Sequence, residues 1–150
     1  MTYKYLGSRE EKTRYEYKVA EILRVVDGDT VDLAIDLGFY LLKQERIRVA
    51  DIDAPESRTR DLAEKKLGLE AKDFVQQQLE TAAEIIIRTE KIDKYGRYLG
   101  WLYLDGAEIS LNEQMIHDGY AWSYDGGRKT KNLGELEQRR RALGTWREGS

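Results

Sequence analysis

The sequence contains no cysteine and one histidine, His117. Without thiols the chain can build neither a disulfide nor a thiolate zinc centre. One imidazole cannot serve a single-chain mechanism that needs two, which argues against a two-histidine nuclease and against a Ser-His-Asp triad. His117 is followed by Asp118-Gly119 and reads as a residue at the C-terminal end of a helix, facing the helix dipole. No apolar run approaches the ~20 residues of a membrane span, so no membrane partner is expected. Residues 1–14 are polar and lack the apolar centre of a secretory signal. The chain as given therefore reads as cytoplasmic, with secretion from a processed precursor left open. Nor is there an excess of positive charge. The net charge is −3, which does not by itself advertise a nucleic-acid partner.

Charged residues make up 35% of the 150 positions and apolar ones 41%, the balance of one soluble globular domain with a core and a heavily charged surface. Residues 1–15 show no periodicity and are expected to form a flexible arm, with a single domain over 16–150. Tyr17 to Val26 is rich in β-branched and aromatic residues and predicts a strand. Asp27-Gly28 signals a hairpin turn. Val31, Leu33 and Ile35 then alternate with Asp32, Ala34 and Asp36, as in a half-buried strand. Gln44 to Ala50 resumes the alternation, with Ile47 and Val49 on one face and Arg46 and Arg48 on the other. Three antiparallel strands in a meander account for this.

Ser57 to Lys66 is polar and reads as a surface loop. Leu67, Ala71, Phe74, Val75 and Leu79 recur at helical spacing, predicting an amphipathic helix over 67–80. Ile85-Ile86-Ile87 marks a buried strand within 84–89. Tyr98 to Leu104 is a further strand, with Tyr98, Trp101 and Tyr103 expected in the core and Asp105-Gly106 turning the chain. Ser110 with Glu113 is a capping box that opens a short helix, which Gly119 ends. Asn132 with Glu135 repeats that signature before a last helix over 133–143, where the Arg139-Arg140-Arg141 triplet reads as a solvated face. Trp122 and Trp146 read as packing anchors. The order β-β-β-α-β-β-α-α fits an α+β, mainly β fold: a five-stranded Greek-key barrel of the OB type with three α-helices.

The one proline, Pro55, lies in Arg48-Val49-Ala50-Asp51-Ile52-Asp53-Ala54-Pro55-Glu56, which carries a guanidinium and three carboxylates on a strand and the stiff turn that follows it. Asp27 and Asp29 stand in another turn. Taken alone, each aspartate is explained by turn chemistry and Glu56 by exposure. Taken together, two aspartates from adjacent strand ends suit a hard Ca²⁺ or Mg²⁺ ion. Arg48 and Arg97 are permanently charged forks that either neutralise neighbouring carboxylates or bind phosphate oxygens bidentately. Two arginines, a divalent cation and a carboxylate together suit attack of water on a phosphodiester.

Asp27-Gly28-Asp29-Thr30-Val31, then Arg48 to Glu56, then Asp93-Lys94-Tyr95-Gly96-Arg97-Tyr98, in this order, resemble the three signatures of the staphylococcal nuclease (thermonuclease) family. Gly119-Tyr120-Ala121 adds to the resemblance, which spans roughly residues 17–146. It implies that Asp29 and Asp53 bind Ca²⁺ with the Ala54 backbone carbonyl, supported from behind by Asp27. It implies that Arg48 and Arg97 grip the scissile phosphate and that Glu56 orients or deprotonates the attacking water. Lys94, Tyr95 and Tyr124 would contact the substrate. Stacking on tyrosine would favour single strands. The activity implied is Ca²⁺-dependent, sugar-nonspecific hydrolysis of DNA and RNA to 3′-phosphates, by a chain expected to be a monomer. The family's staphylococcal member has threonine in place of Ala54 and is strongly basic, and the loop after Glu56 differs. A non-catalytic nucleic-acid-binding or scaffold module of the same fold is the alternative. Such a module would be expected to have lost some of Asp29, Arg48, Asp53, Glu56 and Arg97, and all five are present.

Overall fold

The computed structural model describes residues 15–129 and 131–148. The expected N-terminal arm lies outside the described residues, except Tyr15, which already belongs to the first strand. The strands β1 (Tyr15–Asp27), β2 (Thr30–Asp36) and β3 (Leu42–Val49) form the expected antiparallel meander. Helix α1 (Leu62–Thr81) follows, then the hairpin of β5 (Ile85–Ile92) and β6 (Tyr98–Leu104). A parallel pairing of β3 with β6 and an antiparallel pairing of β1 with β5 close the barrel in the order β1-β2-β3-β6-β5. Helices α2 (Leu111–His117) and α3 (Leu133–Ala142) complete an α+β fold of the OB type. Two-residue strands β4 (Ile52–Asp53) and β7 (Trp122–Ser123), too short to leave a pattern in the sequence, pair beside the barrel. Among the described residues no helix is long and apolar enough to cross a membrane.

The period-two pattern of β2 is met except at Ala34, which is buried although it alternates with the inward residues. Val31, Leu33 and Ile35 are buried and meet Ile47, Val49, Ile87 and Leu102 in one core, against Ala71, Val75 and Leu79 of α1. Gly100 is required by that packing. A Cβ there would stand 2.8 Å from Ile47 Cγ2 and 2.9 Å from Ile87 Cδ1. Asn112, at the start of α2, is fully enclosed and ties the barrel wall together. Its amide donates to the carbonyls of Ala50 (2.8 Å) and Gly100 (3.0 Å) and accepts from the Leu102 N–H (3.1 Å).

Several expectations need correcting. Helix α1 begins five residues early, because Asp61 caps it by accepting from the Ala63 and Glu64 N–H groups. The stretch 57–66 is therefore not all surface loop: Ser57 and Glu64 are buried, each on a polar partner. Trp101 and Tyr103 are not core residues. They project from the outer face of β6, whereas Gly100 and Leu102 turn inwards and Tyr98, as expected, packs against the core, though only partly buried. The arginine triplet is not wholly solvated either. Arg140 is buried against the Tyr120 and Trp146 rings and pairs with Glu70, because its face of α3 packs on α1 rather than on water. Trp122 is buried with Leu67 and Leu136, and Trp146 packs against them, both as anchors.

Candidate active site

The site begins at the β1–β2 turn. Asp27 pairs with Thr30, leaving Gly28 and Asp29 at the tip. The two aspartates then hold either side of the segment around Pro55. Asp29 Oδ2 accepts from the Ala54 N–H (2.9 Å), and Asp27 Oδ1 accepts from the Ser57 N–H (3.2 Å) and the Ser57 hydroxyl. Glu64 adds a third tie, its Oε2 accepting from the Glu56 N–H at 2.9 Å. The segment from Ala54 to Ser57, which carries two of the candidate site residues, is thus tied to two other elements.

Arg48 lies beneath, buried at the end of β3. Its Nη1 donates to the Val49 carbonyl (2.8 Å) and its Nη2 to the Ile52 carbonyl (2.9 Å). The same Nη2 stands 3.5 Å from Asp29 Oδ2 and 3.7 Å from Asp53 Oδ1, so both carboxylates lie within reach of one guanidinium. Asp53 is almost fully enclosed, and its Oδ2 is buried without a hydrogen-bond partner. Burial pushes its carboxyl above the usual carboxylate range. Lys129 opposes that rise, the Asp29 carboxylate adds to it, and Arg48 opposes it again.

Arg97 stands on the β5–β6 hairpin and is held by Asp93, with Nε and Nη2 donating to Asp93 Oδ2 at 2.9 and 2.8 Å. Burial would raise the Asp93 carboxyl. The Arg97 and Tyr95 backbone N–H groups and the Arg97 guanidinium outweigh it and hold the carboxyl low. Arg97 remains partly exposed beside the Tyr95 ring. Arg48, Lys94, Tyr95, Arg97 and Tyr124 all line one groove of about 730 Å³. Asp53 sits at an adjoining hollow shared with Tyr124 and Lys129. Glu56 lines neither; its side chain is largely exposed, with Lys131 at 3.5 Å. Asp29 and Ala54 line neither the groove nor the hollow and are joined to each other.

Sequence reasoning missed two lysines. Lys129 Nζ stands 3.2 Å from Asp53 Oδ1, and Lys131 Nζ stands 2.9 Å from Glu64 Oε2 and near Glu56. The basic composition of 128–131 was the available signal, but nothing local says which carboxylates those lysines meet.

A family model described as "Staphylococcal nuclease homologue" matches residues 46–148. The chain belongs to the staphylococcal nuclease homologue family. It is 32% identical over 137 residues to a protein of Shigella flexneri named micrococcal nuclease, covering 84% of this chain and 72% of that one. A staphylococcal-like nuclease of Arabidopsis thaliana is 34% identical over 109 residues, covering 71% of this chain and 31% of the relative. The protein ParB of Escherichia coli is 31% identical over 138 residues, covering 84% and 71%. Membership gives this chain a nuclease fold with nuclease-named relatives. Of the three sequence signatures, two fall inside the matched region, and these two supply Arg48, Lys94, Tyr95 and Arg97 to the groove and Asp53 to the hollow beside it.

Among the described residues no three Asp, Glu or His side chains converge as a metal cluster. A cation here would be held by two carboxylates, a backbone carbonyl and water, an all-oxygen set that suits Ca²⁺ and excludes softer ions. The buried, unpartnered Asp53 Oδ2 fits such an ion. A buried carboxylate oxygen left without a hydrogen bond is costly, even where the other oxygen is paired.

Proposed function

We propose that this family member is a Ca²⁺-dependent, sugar-nonspecific nuclease that hydrolyses DNA and RNA to 3′-phosphate products, acting as a monomer and preferring single strands. The observation that carries this reading is the buried, unpaired Asp53 Oδ2, beside Asp29 and next to a groove lined by Arg97, Lys94 and two tyrosines. Asp29, Asp53 and the Ala54 carbonyl are the groups that would hold Ca²⁺, which when bound polarises a phosphoryl oxygen and neutralises developing charge. Arg97, clamped by Asp93 with its fork aimed by two contacts, binds the phosphate. Arg48 holds the two aspartates together from below while adding positive charge to the groove wall. Glu56, fixed through its backbone but exposed through its side chain, accepts the proton of the attacking water. Cleavage to a 3′-phosphate breaks the P–O5′ bond and leaves a 5′-hydroxyl. Tyr95 and Tyr124 offer ring faces to bases, which every base can use.

A second reading has its own observation. Arg48 and Lys129 already stand against Asp53, as they would in a module that binds nucleic acid without a cation. Thermal unfolding separates the two. Because the folded Asp53 carboxyl is raised above its ordinary 3.8, the folded state loses stability as pH climbs from that value through the folded one, and the cost is fully present at neutral pH. Without Ca²⁺, Asp53→Asn should therefore raise the melting temperature slightly. Its lost pairing with the half-exposed Lys129 returns little. With Ca²⁺ at 100 times its Kd the unaltered protein should gain about 2.7 kcal/mol, a rise of roughly 5–10 °C, and Asp53→Asn should gain none. Equal shifts in both proteins would remove Asp53 from the cation site.

Metal preference follows from the same set. Mg²⁺ demands near-octahedral geometry and gives up its water reluctantly, so it should support at most about a tenth of the Ca²⁺ cleavage rate. Equal rates with the two ions would contradict the assignment.

A further inference from the structure

Asp53 stands between two unlike cations. Arg48 is buried and tied in place, its Nη1 and Nη2 donating to the Val49 and Ile52 carbonyls. Lys129 Nζ comes closer, 3.2 Å from Asp53 Oδ1 against 3.7 Å for Arg48 Nη2, yet the Lys129 side chain is 49% exposed. A lysine ammonium is a point charge on a flexible four-carbon stem, whereas a guanidinium held by two carbonyls is not mobile. Of the groups around Asp53, Lys129 is the one able to move.

Two carboxylates, Asp29 and Asp53, here face two side-chain cations, Arg48 and Lys129. A doubly charged ion added at Asp53 upsets that balance. On either carboxylate oxygen it would come within a few ångströms of the ammonium, and like charges that close repel strongly beside a buried group. The ion and Lys129 therefore compete for one carboxylate, and Lys129 is the competitor that yields.

The place it yields to is already built. Lys129 and Tyr124 border both the hollow of Asp53 and the groove of Arg97. Lys129 Nζ lies 5.7 Å from the centre of the Tyr124 ring. Tyr124 is fixed at both ends, its N–H donating to the Asp51 carbonyl and its hydroxyl to the Gly127 carbonyl, each at 2.8 Å. One carboxylate, Asp125, also lines both spaces. It is exposed and already accepts the Gly127 N–H at 2.9 Å, so an ion pair with it is worth little. A phosphate gripped by Arg97 is the stronger partner for a displaced ammonium.

We propose that Lys129 couples the cation to the nucleic acid: it neutralises Asp53 until a cation takes its place, and the displaced ammonium then binds the phosphate held at Arg97. The inference deepens the reading of Asp53 as a cation ligand and rests on it. Coupling of this kind is reciprocal, so a phosphate that keeps Lys129 in the groove also tightens the cation at Asp53.

Calorimetric titration of Ca²⁺, alone and with a saturating deoxythymidine tetranucleotide, tests this in the Glu56→Gln protein, so that the probe persists. Lys129→Met keeps the stem and removes the competitor, so Ca²⁺ alone should bind about three- to ten-fold more tightly. The tetranucleotide should tighten Ca²⁺ with either residue at 129, because ion and phosphate attract directly. The gain should be about three-fold smaller, or less still, in Lys129→Met. Arg128→Met removes a like charge from the same hollow and serves as the control; it should leave Ca²⁺ affinity within about two-fold. Residues 128 and 129 are exposed, so both variants should melt within about a degree or two of the parent. Three results would each overturn the proposal while leaving the cation site standing. They are a Ca²⁺ affinity that Lys129→Met fails to raise, an equal rise in Arg128→Met, and a tetranucleotide gain that Lys129→Met does not reduce. No Ca²⁺ binding with either residue at 129 would remove both.

Discussion

Replacing Glu56 with Gln should lower kcat by about 10²–10⁴-fold while leaving the melting temperature within about a degree or two. Glutamine keeps the size and the hydrogen-bonding reach of glutamate but cannot take a proton at neutral pH. The structure makes this a clean substitution. Glu56 is attached to the fold through its backbone N–H, which Glu64 accepts, and through the buried ring of Pro55. Its carboxylate is more than half exposed, with Lys131 at 3.5 Å as a rim contact. Lys131 keeps its closer partner, Glu64, whose hydrogen bond chiefly raises the Lys131 ammonium against the opposing effect of burial. Steady-state rates on a single-stranded oligonucleotide, read beside a melting curve, decide the matter. An unchanged kcat would remove Glu56 from the chemistry. A lost kcat with a collapsed melting temperature would make its role structural.

Gly68→Ala should do the reverse of what helix propensity says. In an exposed helix interior the change is worth about 1 kcal/mol in favour of alanine. Gly68, however, lies in α1 where the helix passes directly beneath the Glu56 segment. A Cβ there would collide with the carbonyl carbon and oxygen of Glu56 and stand 2.6 Å from the Ser57 nitrogen. These are backbone atoms and cannot rotate away. The segment is also pinned by Asp27, Asp29 and Glu64, so it must move as a unit or strain its ties. A net destabilisation of about 1–3 kcal/mol is expected, as for overpacking elsewhere. Displacing Glu56 by even 1 Å should also cost about 10² in kcat. Denaturant unfolding and kinetics on the same variant check both. A protein that is stabilised and fully active would show that α1 does not position Glu56.

The barrel was legible because its strands carry two-residue alternation and its turns carry aspartate and glycine. The caps at Ser110 and Asn132 were legible because they are local: each side chain reaches an N–H three residues on. The candidate site was legible for a related reason, since its charges cluster at strand ends that a meander must bring together, as Asp29 and Ala54 show. Long-range pairing was not legible. Lys131 reaches Glu64 across 67 positions and Arg140 reaches Glu70 across 70, so neither pairing could be read from a basic run. The early start of α1 was hidden by composition. Residues 57–66 are polar although Ser57 and Glu64 are buried, and polarity alone reads as loop. Trp101 reads as core by its type, but strand parity at Gly100 and Leu102 sends it outwards, into the groove.

The central claim, a Ca²⁺-dependent nuclease built on Asp29 and Asp53, is tested most directly by digesting single-stranded and double-stranded DNA with the unaltered protein, once with excess Ca²⁺ and once with EGTA. DNA should be lost in Ca²⁺ alone, the single strand faster, with 3′-phosphate ends on the products. Equal loss in EGTA, or intact DNA that the protein still binds in a salt-dependent way in Ca²⁺, would contradict it.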